Sequence, residues 1–190
     1  MTPGTAFPGI DRPARIFAAC ALGAGIDAAM AWRFGLSAAL PAYGYLGAVA
    51  AVISVTDLAA RKIPEAVVLP SYPLAAVLLA AASAPHDQWW ALARGGIAMG
   101  LLGSFYLTLG LTFPRQFGSG DIEFGGLFGL YLGWLGWSAL ATGTILAWLL
   151  AAAALPLRRV VTPGHRGALP AGPFLAIGAL VAILLSAQPH

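Results

Sequence analysis

Two aspartates carry the most chemistry in this chain. Asp57 stands in the stretch SVTDLAARKIPEAVVLP and Asp121 in FGSGDIEFGG, each set against runs of apolar residues. A carboxylate in such a setting is costly unless something uses it. Two carboxylates brought close cannot easily both ionise, so they share one proton. The ionised partner can take a proton from an attacking water. The neutral partner can donate a hydrogen bond to a carbonyl oxygen as charge develops there. This chemistry suits the hydrolysis of a peptide bond and needs neither a metal, a cofactor nor a covalent intermediate. Whether the two groups can meet depends on the elements that carry them.

The elements are written for lipid. Of the 190 residues, 59% are hydrophobic and 9% are charged, against about 25% charged in soluble domains. Too little charge is present to cover a water-facing surface, and the bilayer is the partner that the excess of apolar residues implies. The net charge of +3 is modest, and no basic run interleaved with aromatics points to nucleic acid. The single cysteine, Cys20, excludes an internal disulfide or a multi-cysteine zinc site and reads as a small buried hydrophobe.

Seven apolar segments approach the length needed to cross a bilayer: 16–32, 40–56, 66–84, 90–113, 122–136, 137–155 and 172–187. The expected fold class is therefore all-α, a polytopic membrane helix bundle of about seven transmembrane helices. Residues 1–15 read as a cytoplasmic tail and 16–190 as one transmembrane domain. With seven crossings, one side receives Arg12, Arg15, Arg61, Lys62, Arg115, Arg158, Arg159 and Arg166. The other side receives only Arg33 and Arg94. The positive-inside rule makes the first side cytoplasmic, with the N-terminus inside and the C-terminus outside. Omitting the short fifth span would divide the basic residues evenly, so the charges favour a true crossing. Asp57, at the end of the second span, and Asp121, at the start of the fifth, then share the cytoplasmic boundary.

Structural readings of the same residues stand beside this one. Asp57 could pair with Arg61 one helical turn on, and Asp121 could be a helix N-cap. Asp27 lies within the first span, where acids are usually functional, or it pairs with Arg94 or a hydroxyl. Gly118 and Gly120 flank Ser119 before Asp121 and would permit close backbone approach. Pro170 and Pro173 could simply start the last helix. His165 and Arg166 read as loop anchors at the headgroups. Trp89 with Trp90, and Trp134 with Trp137, fit interfacial aromatic belts.

Three segments resemble the type IV prepilin peptidases, membrane aspartic proteases of the GxGD class. TDLAARKIP, residues 56–64, is similar to the family's first motif, an Asp followed by basic residues and Ile63-Pro64. GSGDIEFGGLFGLYLGW, residues 118–134, is similar to the GxGD motif and its glycine-rich helix. LPAGPFLAIGA, residues 169–179, with Pro170, Gly172 and Pro173, resembles the family's C-terminal segment. The resemblance implies that Asp57 and Asp121 are the catalytic pair and that residues 40–187 form a six-helix core behind one added helix. It implies prepilin or pseudopilin substrates, cut at the cytoplasmic face of a bacterial-type inner membrane. The zinc region and N-methylation of the larger members are not expected. Glu65 stands where the family usually has Asn, and Glu123 where it usually has Lys. Both place negative charge beside the pair, which shifts its titration and with it the pH optimum or the substrate preference. A non-catalytic assembly or scaffold protein and, further off, a small transporter are the other readings. Nothing in the sequence sets the oligomeric state.

Overall fold

Long apolar runs with polar breaks fold as helices because lipid offers no hydrogen-bond partner to an open backbone. The computed structural model describes residues 13–60, 63–114, 117–161 and 171–186. These form seven α-helices: α1 (Pro13–Phe34), α2 (Leu40–Ala60), α3 (Glu65–Ser83), α4 (Trp89–Thr112), α5 (Ser119–Leu135), α6 (Trp137–Val161) and α7 (Ala171–Leu185), with a short 3-10 turn at Ala84–His86. Among the described residues there is no strand. Five helices, α1 to α4 and α6, are long and apolar enough to cross a membrane; α7 is apolar but shorter. The sequence-derived segments and the helices agree to within a few residues at most ends. The largest difference is at α6, which continues past Pro156 to Val161.

The bundle is built around α5. From Phe124 to Leu135 every residue of α5 is buried, and α3, α4, α6 and α7 pack against it. Shielded on most sides by protein, α5 does not need a long lipid-facing length of its own. Glycine makes the closest approach possible. A methyl group on Gly129 would lie 2.6 Å from the Ala98 carbonyl oxygen, and one on Gly133 would lie 2.3 Å from Ala98 Cβ. The backbones of α4 and α5 therefore touch along one seam, a pattern of small residues common between membrane helices. Helix α1 lies outside this arrangement, against α2 and α7.

Side-chain bonds identify two ends of the bundle. At one end Trp134 Nε1 donates to Ser83 Oγ (2.9 Å), joining the last turns of α5 and α3. There Arg94, in the first turns of α4, donates to the carbonyls of Gly133 (2.7 Å) and Trp134 (2.6 Å). Arg33, in the last turn of α1, donates to the carbonyls of Ile183 and Ser186 at the end of α7. Both arginines thus satisfy carbonyls that a helix C-terminus leaves without partners, and place positive charge at its negative pole. Arg94→Leu should lower stability by about 2 kcal/mol by stranding two carbonyls. Thermal unfolding of the purified protein in detergent measures the loss.

The structure corrects three sequence expectations here. Arg94 is committed to α5, so it is not the partner of Asp27. Trp134 is 3% exposed and belongs to the core, whereas Trp89, Trp90 and Trp137 are exposed as a belt requires. Its indole found a buried hydroxyl, which lets a large amphipathic ring sit inside. Cys20 is exposed on α1 rather than buried, because α1 is peripheral and much of its surface faces outward.

Candidate functional site

The opposite end of the bundle gathers the polar residues singled out in the sequence. There α2 ends and α3, α5 and α7 begin. Asp57 stands in the last turn of α2 and is 4% exposed. Its Oδ2 accepts a hydrogen bond from the Gly172 backbone N–H, 2.9 Å away in the first turn of α7. Asp121 stands in the first turn of α5 and is half-buried. Ser119, also in that turn, donates from Oγ to Glu65 Oε1 at the start of α3 (2.6 Å). A methyl on Gly120 would lie 2.5 Å from Ile63 Cβ, so Ile63, just before α3, rests directly on the start of α5. Both aspartates therefore lie at one end of the bundle, Asp57 against the first turn of α7 and Asp121 in the turn of α5 that Ile63 touches.

Local sequence explains each position. The N-cap of α5 is Gly118, in extended conformation at φ −96°, ψ 171°, and Asp121 is the third residue of the helix rather than its cap. Its Oδ2 accepts from the Gly118 N–H at 2.9 Å. This is the returning half of a capping box, with the carboxylate near the positive pole of its own helix. Gly118 serves no strained conformation; Gly120 serves close approach. Asp57 is placed against local preference, because the C-terminal turn of α2 is the negative pole. Thr56 beside it is buried and donates to the Val52 and Ile53 carbonyls (2.9 and 3.0 Å).

The remaining candidates divide. Glu65 is exposed and engaged with Ser119. Glu123 is half-buried, and its Oε2 is buried without a hydrogen-bond partner among the described residues. The Tyr72 hydroxyl of α3 donates to the Glu123 carbonyl (2.6 Å). Ser119 and Tyr72 were not signalled by the sequence, which gives no cue that either meets a distant helix. Pro173 lies in the first turn of α7 and Pro64 directly precedes α3. Asp27 stands apart, at the α1–α2 contact, where its Oδ1 would lie 2.8 Å from a methyl on Gly47; that oxygen is buried without a hydrogen-bond partner among the described residues. Arg61, the sequence-level partner for Asp57, and Pro170, His165 and Arg166 lie outside the described residues. Among the described residues no cluster of three or more His, Cys, Asp or Glu is arranged to hold a metal ion.

What such an end can do follows from its parts. One buried carboxylate and one half-buried carboxylate, each oriented by a backbone N–H, stand at this end of the bundle. The family model for the type IV leader peptidase family matches residues 44–157, a span that holds both aspartates. No curated protein and no solved structure gives a match.

Proposed function

Because the chain belongs to the type IV leader peptidase family, we propose that it is a membrane aspartic endopeptidase using Asp57 and Asp121 as its catalytic pair. The family makes it a peptidase, and its apolar helices make it a multi-pass membrane protein. The observation that carries the finer reading is the location of both aspartates at the same end of the bundle, where four helix termini converge. The pair shares one proton. The ionised carboxylate accepts a proton from water as the water oxygen attacks the peptide carbonyl, and the protonated carboxyl supports the developing oxyanion. Collapse of the tetrahedral intermediate breaks the C–N bond, and a proton passes to the leaving amine.

The substrates in this reading are prepilin- or pseudopilin-like proteins, cut at the cytoplasmic face of the inner membrane before their hydrophobic helix. The asymmetry of Lys and Arg supports the orientation: the end that holds the aspartates is the cytoplasmic one. Seven crossings then put the C-terminus outside. A reporter active only outside the cytoplasm, fused after His190, should be active; a silent fusion, with a cytoplasmic reporter active at the same point, refutes the topology. Cleavage of a co-expressed prepilin by wild type but not by Asp57→Ala tests the activity.

A second reading has an observation of its own. Asp121 accepts a bond from the N-cap residue of its own helix and Asp57 holds the start of α7, so both acids have structural work. A non-catalytic scaffold would use them in this way alone. Wild-type protein that leaves every prepilin-like substrate uncut would favour it.

A further inference from the structure

We infer that Gly172 is a positioning residue for Asp57: the first turn of α7 holds that carboxylate by a backbone N–H, and only glycine leaves room for it. The inference rests on the proposed catalytic role of Asp57. It extends that role beyond the segment that carries the family match, since Gly172 lies outside residues 44–157.

Three features of the contact support this. First, the Gly172 N–H to Asp57 Oδ2 bond is 2.9 Å long, buried, and joins residues 115 apart in sequence. The N–H groups of a helix's first turn have no partner within the helix. At α7, Pro173 removes one such donor outright. The Gly172 donor is spent on the carboxylate. Second, a methyl group at Gly172 would lie 2.8 Å from Asp57 Oδ2 and 3.4 Å from its Cβ and Cγ. The side chain that would have to give way is 4% exposed and enclosed. Space therefore fixes the residue type. Third, the contact resolves an electrostatic conflict. Asp57 stands at the negative pole of α2, and the first turn of α7 brings a positive pole to it.

Gly172 touches no substrate atom in this account. It sets where Asp57 Oδ2 points, and hence whether the carboxylate can address the same water as Asp121. A misplacement on the order of 1 Å is enough to cost about 100-fold in rate.

The test uses the full-length protein in detergent or native membranes. Gly172→Ala should lower kcat on a prepilin substrate by roughly 10- to 100-fold with KM within about threefold of wild type. Ile183→Val, at the far end of α7, should cost comparable thermal stability and leave kcat of the folded protein unchanged. A Gly172→Ala enzyme within twofold of wild-type kcat, or one whose loss tracks only its folded fraction, overturns the inference. A second measurement needs no activity. Gly172→Ala should lower Tm by several degrees in the wild-type background and by much less in Asp57→Ala, where the carboxylate no longer occupies the space. Equal shifts in both backgrounds overturn the contact. Failure of the catalytic reading has a different signature: Asp57→Asn and Asp121→Asn would both cleave normally while the stability cycle still showed coupling.

Discussion

Asp121→Asn should abolish leader cleavage, by several orders of magnitude in rate, in a protein that remains folded and inserted. The substitution separates the two tasks that the structure gives this side chain. As a structural group, Asp121 accepts one hydrogen bond from the Gly118 N–H. An Asn side-chain oxygen can accept the same bond, so loss of the carboxylate should cost the helix start about 0.5–1 kcal/mol at most. As a chemical group, the carboxyl must exchange a proton with water or with the substrate, and an amide cannot do so. Asp57 would be left without a partner to divide acid and base roles with. The measurement is processing of a co-expressed prepilin at matched membrane levels, with unfolding midpoints recorded for both proteins. Near-normal cleavage would reduce GSGD to a helix start and remove the catalytic reading of both aspartates.

Glu123→Gln makes a contrast within the same turn of helix. Its Oε2 is buried without a hydrogen-bond partner among the described residues, yet its place in the proposed chemistry is that of a neighbouring charge. Neutralising it should displace the pH optimum of cleavage while turnover continues, and a pH series of the two proteins in membranes reads this directly. Complete loss of turnover at every pH would promote Glu123 from neighbour to participant.

How much of this was legible in the sequence differs by kind of interaction. The helices were, because lipid contact demands long apolar segments and the charges punctuate them. The observed α3, Glu65–Ser83, begins one residue before the expected segment 66–84. The co-location of Asp57 and Asp121 was legible too, because an even number of crossings between two residues fixes their relative side. Contacts that depend on packing were not. Nothing local to Arg94 says that it will serve the carbonyls of Gly133 and Trp134, and pairing with Asp27 was an equally good guess from charge alone. Trp134 looked like half of an interfacial pair with Trp137, but one faces Ser83 in the core and the other faces outward. Gly172 was visible as part of a motif, but its partner, 115 residues away, was not.

Gly133→Leu should leave almost no folded protein, while Gly100→Leu should be tolerated. Both glycines lie in apolar helices, and composition alone cannot rank them. At Gly133 a methyl group would meet Ala98 Cβ at 2.3 Å, the Arg94 carbonyl oxygen at 3.1 Å and Gly95 Cα at 3.1 Å. Two of these are backbone, and the third is an alanine methyl that has no rotamer to change. A leucine there must force α4 from α5, and it breaks the reach of Arg94 to the carbonyls at the end of α5 as it does so. Overpacking in a core commonly costs about 1–3 kcal/mol and more where backbone must move. Against a total stability of about 5–15 kcal/mol, that is a large fraction, and α5 is the helix on which α3, α4, α6 and α7 all rest. At Gly100 nothing lies within 4 Å of a built methyl, and in a membrane helix the added side chain meets lipid. The glycine-rich character of α5 is therefore a packing requirement of the seam, separable from the chemistry at its first turn. The comparison is read as the fraction of monodisperse protein recovered from membranes and its thermal midpoint. Recovery of Gly133→Leu at wild-type yield and midpoint would mean that α4 and α5 can part without loss, and the central position of α5 would no longer explain its glycines.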